Sequence, residues 1–321
     1  MPVSVPDRTG SAAGVRVGMD IGGTGTRFVA MDAEQKVFAR LAVPTPGEFT
    51  SGSAADFLAG QISLLAPGRP ITAIGIGASG PVDPEGIIRN PDTLPGFTGE
   101  PVVSALASRF GAPVTIDNDA VCAAVAEQRV GAAAGSTSLL HITLGTGIGS
   151  CLLLAGRPLR GADGMHLEAG HITVRQAPEP CYCGREACWE MAASRQALQR
   201  AAASALGRDS RDRNVVADLA ERATRGDAVA TRVFREYGLA VAEGLGTLLA
   251  AYRPHTVVLG GSAAEHLDLY REELETYLRR LGPWIHHAEL AATQLDDFGG
   301  AIGAAYLTMA GFQMPATARD R

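Results

Sequence analysis

The sequence predicts an α/β fold made of two related halves. With 321 residues and an apolar fraction of 46%, the chain can bury a full core in two medium-sized domains or in one large domain. An apolar strand, a glycine-rich turn and a second apolar strand follow one another over 15–31, and the same pattern recurs over 139–154. From Ala192 onward the pattern is mainly helical. The repeated strand–turn–strand unit is what divides the chain into two halves.

The first half is predicted to mix strands and helices. The expected strands lie over 15–20, 27–31, 72–78 and 113–116, and the expected helices over 54–65 and 102–110. The first glycine turn, between Ile21 and Thr26, joins a strand to a strand, and Phe28 stands where a third glycine would be required. The sequence therefore excludes a Rossmann dinucleotide fingerprint, which needs a strand followed by a helix.

The second half is predicted to start near the turn before Asp117, which is the nearest feature to a domain boundary. An alanine-rich helix is expected to begin at 117–119 and to run to Val130. The further strands are expected over 139–144, 150–154 and 256–259, and the helices over 195–206, 215–225, 228–251, 268–281 and 299–309.

Composition excludes several classes of partner. A net charge of −6 argues against nucleic acid and against anionic membranes, since both require a basic surface. No apolar run approaches the ~20 residues of a membrane helix. The five cysteines, three of them in one cluster, are typical of metal binding in a reducing compartment, so a cytoplasmic location is expected. Residues 1–14 are polar and are expected to form a disordered tail rather than a signal peptide.

The two glycine turns are candidate phosphate-binding loops. They contain Gly22, Gly23 and Thr24 in the first half, and Gly145, Thr146 and Gly147 in the second. Glycine lets consecutive backbone N–H groups face one anion, and each threonine adds a hydroxyl donor. A single turn of this kind is usually only a tight turn. Two related turns favour a nucleotide, and Asp20 just before the first is a candidate for holding Mg²⁺ through water.

Asp119 has two interpretations. In the ordinary one, Asp117 or Asn118 caps the helix and Asp119 is a first-turn carboxylate that the helix dipole favours. In the functional one, Asp119 accepts the proton of a substrate hydroxyl that attacks a γ-phosphate, while Asn118 orients neighbouring hydroxyls. Phosphoryl transfer needs mainly positioning, charge neutralisation and one such carboxylate.

A histidine and three cysteines predict a metal site. The residues are His171, Cys181, Cys183 and Cys188. Three thiolates and an imidazole complete a tetrahedral zinc shell, so the zinc is expected to be structural and not catalytic. The alternative is three unrelated reduced cysteines. Glu168 and Glu190 flank the cluster and are candidate acceptors for substrate hydroxyls, although Glu190 is also explained as the first acidic residue of a helix.

Five segments resemble the ROK family of repressors and sugar kinases. They are Asp-Ile-Gly-Gly-Thr from Asp20, Asp-Asn-Asp-Ala from Asp117, Leu-Gly-Thr-Gly-Ile-Gly from Leu144, Gly-Ala-Asp-Gly from Gly161 with Glu-Ala-Gly-His from Glu168, and Cys-Tyr-Cys-Gly from Cys181 with Cys-Trp-Glu from Cys188. Their order is the family's order, over about 15–307. The cysteine segment with the preceding Glu-x-x-His is highly specific, whereas the glycine turns alone would not be.

The resemblance implies an actin-like ATPase (ribonuclease H-like) fold, with two α/β lobes of duplicated topology and a cleft between them. The first lobe is expected to comprise 15–117 and 299–321, because the helix from about Ala301 returns to it. The second lobe, with the zinc site, is expected over 118–298. Family members are commonly dimers or tetramers, so a homodimer or homotetramer is expected.

The resemblance also implies ATP-dependent phosphorylation of a hexose, usually at the 6-hydroxyl, with Mg²⁺. By similarity, Asp119 is the base; Asn118, Glu168, His171 and Glu190 bind the sugar; Asp20, Gly22, Gly23, Thr24, Gly145, Thr146, Gly147, Gly260 and Gly261 contact ATP; and His171, Cys181, Cys183 and Cys188 bind zinc.

The sequence departs from the family pattern in two places, and there are alternatives to glucose as the substrate and to a kinase as the function. Ala187 replaces the second glycine of the cysteine motif, and the loop that ends at Phe97 has phenylalanine where the family has tryptophan. Because that loop lies near the sugar in the family, N-acetylglucosamine and N-acetylmannosamine are alternative substrates to glucose. A non-catalytic, sugar-sensing regulator is an alternative of another class, disfavoured because few residues precede Val15 and because the chain is acidic.

Overall fold

The computed structural model describes residues 14–49, 52–175, 177–285 and 287–309. The predicted disordered tail, 1–14, lies outside the described residues except for Gly14. The described chain forms two compact units. The first unit contains the described residues up to Gly135, those of 153–167 and those from Gln294 onward. The second unit contains 136–152 and the described residues of 168–293.

The first unit is an α/β layer structure. Its strands are β1 (Val15–Ile21), β2 (Gly25–Met31), β3 (Val37–Pro44), β4 (Ile71–Ala78) and β5 (Val114–Asn118), and its helices are α1 (Ala54–Leu65), α2 (Val102–Phe110), α3 (Asp119–Val130) and α9 (Gly299–Leu307). The strands form one sheet in the order β3-β2-β1-β4-β5. β1, β4 and β5 are parallel, whereas β2 is antiparallel to both of its neighbours.

A second sheet contributes most of its strands to the second unit, while its shortest strand falls within 153–167. The strands of this sheet are β6 (Ser138–Leu144), β7 (Ile148–Leu154), β8 (Arg157–Pro158), β9 (Thr256–Gly260) and β10 (Glu289–Ala292). The helices are α4 (Trp189–Ala193), α5 (Arg195–Leu206), α6 (Val215–Thr224), α7 (Ala228–Tyr252) and α8 (Leu267–Arg280), with short 3₁₀ turns at Ala169–His171 and Ala264–His266. The strand order is β8-β7-β6-β9-β10.

The two sheets share one topology. Counted along the chain, each has the order third, second, first, fourth, fifth. In each, the first strand is joined to the second by a glycine turn and pairs in parallel with the fourth. The duplication that the repeated hairpin predicted is therefore confirmed at the level of whole sheets.

Helix α9 packs directly on the first sheet. A Cβ at Gly75 would stand 1.8 Å from the carbonyl oxygen of Ala304, and one at Gly18 would stand 2.0 Å from that of Ala301. Only glycine permits so close a backbone approach. The helix packs on β1 and β4 and ends at Leu307, whereas the predicted helix extends to 309.

Several predicted bounds agree with the structure, and several elements were not predicted. α1, α2 and α5 have the predicted bounds, and the remaining predicted elements differ by a few residues at their ends. β3, β8 and β10 were not predicted, and α4 was predicted only in the interpretation that made Glu190 the first acidic residue of a helix. The predicted lobe boundary at 117/118 also differs from the observed division, because α3 packs on α9 and on β4 and so belongs to the first unit.

Candidate functional site

Three segments of the first unit meet at one edge of its sheet. The register pairs Ile21 with Ala78 and Ala78 with Asn118, so β1, β4 and β5 end side by side. The backbone N–H of Ser79 donates to the carbonyl of Ile21 over 3.1 Å. The carboxyl ends of parallel strands are where α/β folds bind ligands. This edge therefore brings the first glycine turn together with Asp119 at the start of α3.

The first glycine turn presents its tip to solvent. The N–H of Gly22 donates to the carbonyl of Gly25 over 3.2 Å, which closes the turn, while Gly23 and Thr24 are exposed. The hydroxyl of Thr45 donates to the carbonyl of Gly22 over 2.6 Å and fixes its base. Exposed backbone and a threonine at a strand end fit the predicted phosphate loop.

Asp119 lies in the first turn of α3. Asn118 is the N-cap, and its side-chain oxygen accepts from the N–H of Ala120 over 2.9 Å. The same N–H contacts the Asp119 carboxylate at 2.8 Å. Burial raises the pKa of Asp119, while the hydrogen bond from Ala120 and the positive charge of His166 act to lower it. The capping interpretation is thus correct for Asn118, and it leaves Asp119 as a rigidly held, half-buried carboxylate.

Asp20 lies close to Asp119 at this edge. Burial and, after it, the negative charge of Asp119 raise the pKa of Asp20 to about 7, although Arg27 on the paired strand acts to lower it. A Cβ at Gly300 would stand 2.7 Å from the Asp20 carboxylate, so this carboxylate lies against the first turn of α9. Each of these two neighbouring carboxylates disfavours ionisation of the other, in addition to the effect of burial.

An ion pair that was not predicted from the sequence involves Asp117, two residues before Asp119. Arg160 contacts the carboxylate of Asp117, and their side chains are 11% and 6% exposed. The other Asp117 oxygen accepts from the N–H of Asn118 over 2.8 Å. Arg160 also donates to the carbonyl of Gly164 over 3.2 Å. The loop that contains Gly161–Gly164 is thereby tied to the strand that ends at Asn118.

The glycines of the second unit also converge at a sheet edge. β6 and β9 are parallel neighbours, with Thr143 opposite Gly260, so their ends lie together. The N–H of Gly145 donates to the carbonyl of Gly147 over 3.0 Å, and Thr146 at the tip is exposed. Gly261 has a φ of +78°, and a Cβ there would stand 2.5 Å from the carbonyl of Leu144. Gly260 and Gly261 thus allow the two strand ends to approach each other.

The four predicted metal ligands lie together. The ligand atoms of His171, Cys181, Cys183 and Cys188 are all within 4.8 Å of one another. Cys181 Sγ is 3.6 Å from His171 Nδ1, and Cys183 Sγ is 3.4 Å from Cys188 Sγ. A tetrahedron with zinc–sulfur bonds of ~2.3 Å has ligand separations of ~3.8 Å. The donors and their spacing therefore fit zinc, and the thiols are free of disulfides.

Local structure holds this cluster in place. The N–H of Cys181 donates to the carbonyl of Arg185 over 2.8 Å and closes the loop between the cysteines. Trp189 is fully buried, and its indole N–H donates to the carbonyl of Ala240 over 2.8 Å. A Cβ at Gly244 would stand 2.2 Å from the Trp189 ring. Trp189 is thus a packing residue, and it anchors the start of α4.

Two further predicted sugar contacts, Glu168 and Glu190, lie beside this cluster. The carboxylate of Glu168, 53% exposed, is 4.0 Å from Nε2 of His171, the ring nitrogen that faces away from the sulfurs. Glu190 is only 8% exposed, and its carboxylate accepts from the N–H of Ile148 over 3.1 Å. Its position in the first turn of α4 agrees with the helical interpretation. Gly170 allows the Glu168–His171 turn to approach β7, because a Cβ there would stand 2.8 Å from the carbonyl of Ile148.

Comparison with known proteins identifies the family. The ROK family profile matches residues 16–310. The chain belongs to the ROK family. This ROK protein is 32% identical over 310 residues to a glucokinase of Streptomyces coelicolor, and the match covers 92% of this chain and 97% of the relative.

Solved ROK structures share the fold. A ROK hexokinase from Thermus thermophilus is 34% identical, with a TM-score of 0.76, over 91% of this chain and 96% of the other. A ROK glucokinase from Streptomyces griseus, in complex with glucose and AMPPNP, is 31% identical, with a TM-score of 0.74, over 92% of this chain and 99% of the other. This ROK protein therefore has the actin-like ATPase fold. Among its described helices, none has the length and apolarity to span a membrane.

Proposed function

We propose that this ROK protein is an ATP-dependent sugar kinase that phosphorylates a hexose, with glucose as the first candidate, at the 6-hydroxyl. The observation that carries the proposal is the placement of Asp119. Its carboxylate is held at a helix start, at the same sheet edge as the exposed Gly23–Thr24 turn, and its pKa is raised. Membership of a family with glucokinases supports the same reaction.

Each set of residues has a role in this proposal. Asp119 takes the proton of the 6-hydroxyl while the sugar oxygen bonds to the γ-phosphorus and the bond from that phosphorus to the bridging oxygen of ADP breaks. A raised pKa suits a general base, since it brings proton affinity closer to working pH. Glu168, His171, Glu190 and Asn118 bind sugar hydroxyls. The two glycine turns with Gly260 and Gly261 contact ATP.

Two metal ions belong to the proposal. Asp20 would help to hold the Mg²⁺ that accompanies ATP, and that ion would neutralise phosphate charge. Zinc on His171 Nδ1 and the three cysteines is structural, since four protein ligands leave no open position. Bound zinc would restrain the His171 ring, whose Nε2 lies 4.0 Å from the Glu168 carboxylate.

The proposal is tested by ADP release with Mg·ATP across glucose, mannose, fructose, N-acetylglucosamine and N-acetylmannosamine, with a control that lacks sugar. We expect release that depends on one or two of these sugars, and none with 6-deoxyglucose, which lacks the attacking hydroxyl. Sugar binding by calorimetry without any sugar-dependent ADP release would instead indicate a sugar-sensing regulator. Equal release with 6-deoxyglucose and with glucose would exclude the 6-hydroxyl as the nucleophile.

A further inference from the structure

Tyr182 lies in sequence between Cys181 and Cys183, and its hydroxyl is close to a third predicted metal ligand, His171. The hydroxyl is 3.4 Å from Nε2 of His171, and the two rings meet edge to face with centroids 5.4 Å apart. The residue as a whole is 82% exposed, so the ring is largely in solvent while the oxygen end points inward. An exposed aromatic ring with its polar end turned into a polar cluster is unusual for a residue that serves only packing.

The surroundings of this hydroxyl are the groups assigned to the sugar. The phenol of Tyr182 offers one O–H donor and acceptor lone pairs to these neighbours. Glu190 is a hydrogen-bond partner of Tyr182, and Nε2 of His171 lies 3.4 Å from the same hydroxyl.

The position of the Tyr182 backbone is fixed by the cysteine loop. The N–H of Cys181 donates to the carbonyl of Arg185 over 2.8 Å, and the N–H of Gly184 donates to the carbonyl of Cys181 over 3.0 Å. Only the side-chain torsions of Tyr182 are then free to move the hydroxyl. Because the ring is exposed, it can rotate away without disturbing the core.

We propose that the Tyr182 hydroxyl occupies the position of a substrate hydroxyl on His171 and Glu190, and that the sugar displaces it on binding. A phenol and a sugar hydroxyl each offer one donor and acceptor lone pairs, so they satisfy the same partners. Tyr182 therefore competes with the substrate and lowers its affinity. This inference rests on the proposed function, because it takes His171 and Glu190 as sugar ligands.

The test is the dissociation constant of the sugar identified in the ADP-release panel, measured by calorimetry on the zinc-loaded full chain and on Tyr182→Phe. In the phenylalanine variant, the sugar no longer has to displace the Tyr182 hydroxyl, whose hydrogen bond has a modest net strength. We therefore expect this variant to bind the sugar about two- to tenfold more tightly. Zinc content, measured by atomic absorption, should remain at one per chain. Tyr252→Phe, at the half-buried end of α7, is the matched control and should leave the dissociation constant unchanged.

The other outcomes overturn the inference in separable ways. Equal dissociation constants for wild type and Tyr182→Phe would remove Tyr182 from the site and leave the proposed function standing. Weaker sugar binding with full zinc would make Tyr182 a sugar ligand instead of a competitor. Weaker sugar binding with lost zinc would make it a positioning residue for His171. No sugar binding by either protein would overturn the proposed function together with the inference.

Discussion

The backbone N–H of Ile148 donates a hydrogen bond to the carboxylate of Glu190 over 3.1 Å. Ile148 follows the second glycine turn directly, and Glu190 follows the last metal-binding cysteine by two positions. One carboxylate thus ties the predicted phosphate loop of the second unit to the metal cluster. The other oxygen, Oε1, lies 4.0 Å from Cys181 Sγ, so both oxygens of this carboxylate have a neighbour in the protein.

Gly147→Ala should damage this link. A Cβ at Gly147 would stand 2.2 Å from the Glu190 carboxylate, whereas a Cβ at Gly145 would meet nothing closer than 3.7 Å. Overpacking of this kind costs about 1–3 kcal/mol, so thermal denaturation should show a lower midpoint for Gly147→Ala than for the control Gly145→Ala. In the double variant Gly147→Ala with Glu190→Ala, the loss should be less than the sum of the two single losses. Strict additivity would contradict the contact.

Cys183→Ser should release the metal and weaken sugar binding. Cys183 is exposed, so the substitution removes a ligand without opening the core. We expect zinc affinity to fall at least about tenfold, with weaker sugar affinity because the His171 ring loses its orientation. The control is Cys151→Ser, a buried thiol of the same unit outside the cluster. Metal-free protein that binds sugar with an unchanged dissociation constant would disprove this coupling.

Asp20 should make the free energy of unfolding depend on pH. Its pKa rises from an ordinary 3.8 in the unfolded chain to about 7 in the folded one. The folded state therefore binds more protons between these values, so its stability should fall as pH rises from 4 to 7. Asp20→Asn removes this dependence and should gain about 1–3 kcal/mol relative to wild type across that range.

This pH dependence is measured by urea denaturation of metal-free protein at several pH values. Asp92→Asn, an exposed carboxylate of the same unit, is the control and should parallel wild type. A constant difference between wild type and Asp20→Asn from pH 4 to pH 7 would show that the pKa of Asp20 is not raised.

Arg160→Met should destabilise the first unit and slow turnover. It leaves the buried Asp117 carboxylate without the cation that contacts it, and loss of one partner of a buried pair costs about 3–5 kcal/mol. Since Asp117 also accepts from the N–H of Asn118, the start of α3 should shift as well. Arg157→Met, at an exposed position of the same segment, is the control. Equal turnover and equal thermal midpoints for both variants would refute a supporting role.

Local signals explain which elements the sequence predicts well. α1 begins at a capping box, in which Ser53 and Asp56 each satisfy a backbone N–H of the other, and α5 ends at Gly207 in the left-handed conformation. Both signals are visible in the sequence, and both helices have the predicted bounds. The missed strands β3 and β10 are edge strands with incomplete burial, so their hydrophobic pattern is weak.

The residues of the candidate site also differ in how well the sequence predicts their contacts. The metal ligands are close in sequence, so their spacing alone predicted the cluster that the structure shows. Arg160 and Asp117 are separated by 43 positions, and nothing in the local sequence of either indicates the other. The direction of the Tyr182 side chain likewise depends on a loop conformation that the cysteine spacing does not encode. Contacts that depend on tertiary packing therefore could not be predicted from residue type and local spacing.

The assignment of Asp119 as the general base is tested most directly by the turnover of Asp119→Asn with Mg·ATP and the preferred sugar. The dissociation constant of that sugar is measured on the same variant. Removal of a general base should lower kcat by ~10²–10⁴-fold. Sugar affinity should stay within about twofold, because Asp119 acts on the proton and not on ground-state binding. Asp163→Asn, an exposed carboxylate of the same unit, should turn over like wild type. A kcat for Asp119→Asn within tenfold of wild type would contradict the assignment of Asp119 as the base.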